Sequence, residues 1–133
     1  MKQISVFIEN EKGKLAAVTE LLASRNVNLK ALCIADSVEY GILRLATDEV
    51  DVAVRTLTDN GYLVKVTEVL VVKTEDKAGS LAKIMAALGG DIDVEYAYAF
   101  TSSEEGKAMM VFRVDDNEKA MAALRAAGIS ATL

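Results

Sequence analysis

Apolar and polar residues alternate from Ile4 to Ile8, and this period of two predicts a β-strand. Leu15, Val18 and Leu22 then recur at i, i+3 and i+7, which is one apolar face of a helix ending near Arg25 and Asn26. Asn28 to Ala35 predicts a second strand, with Leu29, Ala31 and Cys33 alternating against Lys30, Leu32 and Ile34. Asp36-Ser37-Val38-Glu39 is a turn, and Tyr40 to Thr47 is the strand that pairs back. Asp48 can cap the next helix, striped by Val50, Ala53, Val54 and Leu57, and Asn60-Gly61 stops it. Tyr62 to Val66 is the fourth strand.

The order then repeats: strand Val69 to Thr74, helix Ala78 to Leu88, strand Asp91 to Thr101, strand Lys107 to Val114, helix Asp116 to Ala127, and a last strand from Ile129. Each half is β-α-β-β-α-β, and two helices on one face of an antiparallel sheet is the natural packing of that order. The fold expected is α+β: two tandem ferredoxin-like domains, residues 1–67 and 68–133, with antiparallel sheets joined side by side. No Gly-, Pro- or Ser-rich linker separates them.

The register of the repeat is uneven. Gly13 to Gly79 is 66 positions and Leu29 to Val94 is 65, but Arg44 to Arg113 is 69, so extra residues enter between the second and third strands. The turn Thr101 to Gly106 is expected to hold them, either as a functional difference or as a solvated hairpin tip. Several strands, Ser5 to Ile8, Val69 to Val72 and Ala108 to Phe112, are apolar on both faces. Helices cover only one, so the other is expected to pack on a second sheet or on a second copy in a homodimer.

Composition narrows the chemistry. With 52% hydrophobic and 26% charged residues in 133, the chain is globular, and its longest apolar run is far below the roughly 20 residues of a membrane span. A cytoplasmic, non-membrane protein is expected. The net charge of −5 comes without a Lys/Arg cluster, which argues against nucleic acid. The central strands also present Ile4, Val6, Leu43, Leu45 and Met109 where an RNA-recognition sheet would stack bases on aromatics. Histidine is absent and there is no CxxC, so metal, cofactor and triad catalysis have little to be built from. The single Cys33 is expected as a small buried hydrophobe.

The one doubled motif is a polar turn that ends in glycine just before a helix. It stands as Asn10-Glu11-Lys12-Gly13-Lys14-Leu15 and as Asp76-Lys77-Ala78-Gly79-Ser80-Leu81. Glycine permits a turn that a side chain would obstruct. Unpaired N–H groups at the positive end of a helix suit a carboxylate, and the acceptors Asn10 and Asp76 could hold an ammonium group beside it. Together these would cradle a free α-amino acid. The plainer alternative is two turn glycines with Asn10 and Asp76 capping local backbone. No Gly-Lys-Ser/Thr ending follows, so neither turn is a phosphate loop.

These motifs, with Val27-Asn28-Leu29 and Ile92-Asp93-Val94, resemble those of ACT domains, small regulatory modules that bind amino acids. The family's turn is Asn or Asp, any residue, Pro-Gly, any residue, Leu; here Lys12 and Ala78 replace the proline, so the free turn is less stiff. The resemblance implies a non-catalytic, free-standing sensor with a ligand at the interface between ACT domains. Carried over residue by residue, it pairs Asn10 and Gly13 with Asp93, and Asp76 and Gly79 with Asn28. Leu15 and Leu81 would line the site, and Cys33 to Asp36 and Tyr96 to Phe100 would select the side chain. The implied partners are a free amino acid, a second copy and a possible partner enzyme; an assembly protein that binds an enzyme without a small molecule is the alternative. Tyr96, Tyr98 and Phe100 share one strand face, as core, interface or pocket.

Overall fold

The protein is described from a computed structural model covering residues 1–36 and 40–133. Ser37, Val38 and Glu39 of the expected first hairpin turn lie outside the described residues. The chain divides into two compact units, Lys2–Thr67 and Glu68–Leu133, with Met1 belonging to the second. Each is built in the order β-α-β-β-α-β and is α+β.

The first unit contains β1 (Lys2–Glu9), α1 (Lys14–Ala23), β2 (Ala31–Asp36), β3 (Tyr40–Ala46), α2 (Val50–Asp59) and β4 (Leu63–Glu68). Its sheet has the order β2-β3-β1-β4. The β1–β3 register runs from Gln3↔Ala46 to Glu9↔Tyr40, and β2 continues it from Ala31↔Ala46 to Asp36↔Gly41. Ile4, Val6 and Ile8 therefore share a face with Leu43 and Leu45, and Val18, Leu22, Ala53 and Leu57 of the helices close on that face as one buried core. On the same face of the outer strand β2, Leu32 and Ile34 each remain 43% exposed.

The second unit contains β5 (Leu70–Glu75), α3 (Ser80–Leu88), β6 (Val94–Thr101), β7 (Lys107–Val114), α4 (Asn117–Ala126) and the two-residue β8 (Ala131–Thr132), in the sheet order β6-β7-β5-β8. Leu70, Val72, Phe112 and Val114 meet Ile84, Leu88, Ala120 and Leu124 in its core. Tyr96, Tyr98 and Phe100 pair with Arg113, Val111 and Met109, on the face turned away from those core positions. Tyr98 is 9% exposed and the other two are half-buried.

Several element limits differ from expectation for physical reasons. The strand expected from Asn28 begins at Ala31: Asn28 N–H is taken by Glu49 Oε2 at 3.3 Å, and bonding to β3 is first reached by Lys30 N–H, which donates to Ala46 O at 2.8 Å. The expected α2 cap, Asp48, instead pairs with Lys30 at 2.5 Å, and Glu49 takes the cap position, its carboxylate accepting from Thr47 Oγ1 at 2.7 Å. Asp116 does cap α4, accepting from Lys119 N–H at 2.9 Å. The extra residues of the second half are shared between a bulge at Val94/Tyr96 in β6 and residues 102–106. Cys33 is half-buried, since it lies on an outer strand.

Candidate functional site

Both glycine turns fold alike. Each first strand ends in a glutamate, and the chain reverses through a main-chain bond back to it: Glu11 N–H to Glu9 O at 2.9 Å, and Lys77 N–H to Glu75 O at 3.0 Å. Lys14 N–H and Ser80 N–H then reach Glu11 O and Lys77 O, both at 3.3 Å. Gly13 and Gly79 take the N-cap position with φ/ψ of 85°/−12° and 88°/−11°, a left-handed conformation, and neither helix has a side-chain cap bond. A Cβ built at either glycine meets nothing within 4 Å. Dihedral strain, and not crowding as the sequence suggested, is what demands glycine here. The intrahelical ladders open with Ala17 N–H to Gly13 O and Lys83 N–H to Gly79 O. Lys14 N–H and Ser80 N–H are taken by those turn bonds, and helix geometry leaves the N–H groups of Leu15 and Ala16, and of Leu81 and Ala82, outside the ladders.

Charge is arranged differently around the two turns. Lys14 lies 3.2 Å from Glu9, whose hydrogen bond and negative charge hold the ammonium pKa above its usual value. Glu75 forms an ion pair with Lys77, and that hydrogen bond holds its carboxyl below the usual carboxylate range. Asp76 N–H donates to Gly106 O at 2.9 Å, tying the second turn to the loop of residues 102–106. Between them lies an open groove of about 490 Å³, lined by Asp76, Phe100, Glu104, Glu105 and Lys107 among others. Glu104 is bonded to Lys73, which lowers its pKa. Glu9 and Glu75, 66 positions apart like the glycines, were the detectable signal for these strand-end ion pairs.

Asn10, Lys12 and Gly13 lie together and exposed in the first turn, as do Asp76, Ala78 and Gly79 in the second. Lys14 and Leu15 are half-buried, and Leu15 packs against the first core. Ser80 is buried at 8% exposure, whereas Leu81, the counterpart of Leu15, is 46% exposed. Asn28 and Asp93 are also exposed. Asp93 N–H donates to Asp115 Oδ1 at 3.0 Å and Asp115 N–H to Asp93 O at 3.1 Å, so both Asn28 and Asp93 are held by the segment that leads into the following helix. Strand register puts these residues at the opposite end of their own sheet from the glycine turn of the same unit.

Doubled βαββαβ units with matching left-handed glycine caps define the architecture, and the family model described as ACT domain pair matches residues 1–131. The chain belongs to the ACT domain pair family. A solved structure of protein BT0572 from Bacteroides thetaiotaomicron is 36% identical to this ACT domain pair, with a TM-score of 0.90 over 98% of this chain and 90% of that one. The ligand-free regulatory subunit of aspartate kinase from Thermus thermophilus shares the fold at 16% identity, with a TM-score of 0.71 over 95% and 91% of the two chains. The corresponding subunit from Thermus flavus does so at 20% identity, with a TM-score of 0.69 over 96% and 90%. No curated protein matches in sequence. Among the described residues, no helix is long and apolar enough to cross a membrane, and no group of three or more His, Cys, Asp or Glu is placed to hold a metal ion.

Proposed function

We propose that this ACT domain pair is a non-catalytic regulatory protein that binds a free amino acid at its glycine turns. The observation that carries the reading is the doubled left-handed cap: Gly13 and Gly79 hold φ and ψ within a few degrees of each other, with nothing within 4 Å of a Cβ position and no side-chain bond from the cap residue. Main-chain N–H groups there would receive the α-carboxylate, and Asn10 or Asp76 the ammonium group. Leu15 and Leu81 would touch the ligand's side chain. Lys12, Lys14, Ala78 and Ser80 would shape the turn around it.

Within a unit, a ligand on the glycine turn is out of reach of Asn28 or Asp93, because the register separates them by the length of the sheet. In this reading another ACT domain completes each site, with Asp93 serving Asn10 and Gly13, and Asn28 serving Asp76 and Gly79. Binding then stabilises one domain arrangement over others, and a partner enzyme that recognises it responds to amino-acid concentration. The absence of proline from both turns favours a second reading, an assembly protein with the same fold and no small-molecule ligand.

A thermal-shift screen against the common amino acids separates the two. A ligand bound only to the folded state at about 100 times its Kd adds about 2.7 kcal/mol, a visible shift. The sensor reading expects a response to one or two amino acids and its loss in Gly13→Ala/Gly79→Ala, whose new methyl groups occupy the open space while circular dichroism stays unchanged. No response to any amino acid at millimolar concentration would leave the assembly reading standing.

A further inference from the structure

Beside the outer strand β4, the flank of α2 opens into a cleft of about 550 Å³ within the first unit, far from the glycine turn in sequence. Val50, Val54 and Val66 give it an apolar lining, and Val66 is 42% exposed. Lys2, Asp51, Arg55 and Asp59 supply its charges. Asp51, Arg55 and Asp59 follow one another at i, i+4 and i+8 and so form one stripe of alternating sign along the helix. Ion pairs elsewhere in the chain join Lys14 to Glu9, Lys30 to Asp48, Lys73 to Glu104, Lys77 to Glu75 and Arg113 to Glu95; among the described residues, none uses a charge of this cleft.

The strand beside the cleft is an edge of its own sheet. β4 is six residues long and outermost in its sheet, with Leu63 at its start 68% exposed. A strand in that position offers a row of N–H and C=O groups for pairing, and Lys65 is the charge at its centre that would discourage indiscriminate association.

We propose that the α2–β4 flank is a docking surface for a second copy of this chain, related by a two-fold axis. Charge complementarity selects that occupant. A stripe reading acid, base, acid is matched by its own antiparallel copy shifted by half its repeat: Arg55 of each copy then faces an acid of the other, and valine meets valine beneath the charges. A strongly acidic or basic partner would satisfy only one sign. The surface does not depend on whether the glycine turns hold a ligand.

Sedimentation velocity on the full chain tests this at micromolar concentration and low salt. The unmodified chain is expected to dimerise, and Arg55→Glu to weaken that dimer by about tenfold or more, since two-fold symmetry makes each substitution act twice. Exchanging the charges, as Arg55→Asp with Asp59→Arg or as Arg55→Asp with Asp51→Arg, is expected to restore association in one of the two forms and so to name the offset. Thr58→Cys in a Cys33→Ala background supplies a readout that needs no charge change: it should form an intermolecular disulfide in the offset that sets Arg55 against Asp59, and not in the one that sets Arg55 against Asp51. A chain that stays monomeric, a dimer indifferent to Arg55→Glu, or rescue by neither exchange would overturn the proposal.

Discussion

Replacing Gly13 by alanine isolates the cost of a backbone angle from the cost of crowding. At φ 85° an L-residue brings its Cβ against its own main chain, which costs about 1–2 kcal/mol. No neighbour adds to this, because nothing lies within 4 Å of the new atom. Gly90 supplies the control: its Cβ also meets nothing, and it is not among the positive-φ glycines. There alanine should be neutral or stabilise by about 0.4–1 kcal/mol through a stiffer unfolded chain. Urea denaturation followed by circular dichroism should place Gly13→Ala about 1–2 kcal/mol below the unmodified chain, a fall of several degrees in Tm at about 4–8 °C per kcal/mol for a domain of this size. Gly13→Asn should recover part of the loss, since asparagine tolerates the left-handed region better than alanine. Equal stabilities for Gly13→Ala and Gly90→Ala would show that the positive φ is not what demands glycine at residue 13. A loss above about 4 kcal/mol would do so as well, because it requires a clash that the turn does not contain.

Asp116→Ala removes the side chain that accepts from Lys119 N–H and should cost about 1 kcal/mol in the same assay, with Asp116→Asn recovering most of it. Ile84→Ala should cost about 2–5 kcal/mol by opening the second core, whereas Leu81→Ala, one turn earlier and 46% exposed, should cost well under 1 kcal/mol. Glu49 is held below the usual carboxylate range, first by the Thr47 hydroxyl and then by the Asn28 N–H. A depressed folded pKa contributes stability at neutral pH that disappears as pH falls through it, so Glu49→Gln should be less stable than the unmodified chain at pH 7 and converge with it near pH 3. A difference that persists unchanged at pH 3 would contradict that assignment.

Period and punctuation made most of the fold legible. Val18 and Leu22 recur as Ile84 and Leu88, and all four are buried, because a 66-residue offset preserves the helical phase. Glycine in a polar turn likewise marked the two reversals at residues 13 and 79, although the reason it suggested was crowding and the one found is a positive φ. Contacts between side chains distant in sequence were not legible. Asp48 looked like a helix cap until Lys30 claimed it, and nothing near Asn28 announces that Glu49 will bind its N–H. Burial at the candidate site was equally hidden: Leu15 and Leu81 occupy matching motif positions, yet one packs on a core and the other projects outward. The bulge at Val94/Tyr96 escaped notice because an added residue leaves an apolar run looking continuous.

Outside the glycine itself, Asn10-Glu11-Lys12 and Asp76-Lys77-Ala78 share no residue position by position, yet the two caps agree to within a few degrees. Their geometry is written in main-chain torsions and is indifferent to the flanking side chains. Sequence drift at those six positions can therefore alter the charge and shape presented at the turn without dismantling it. Such a turn is a fixed socket with interchangeable trim, so the two halves of one chain can diverge in preference while keeping the same scaffold.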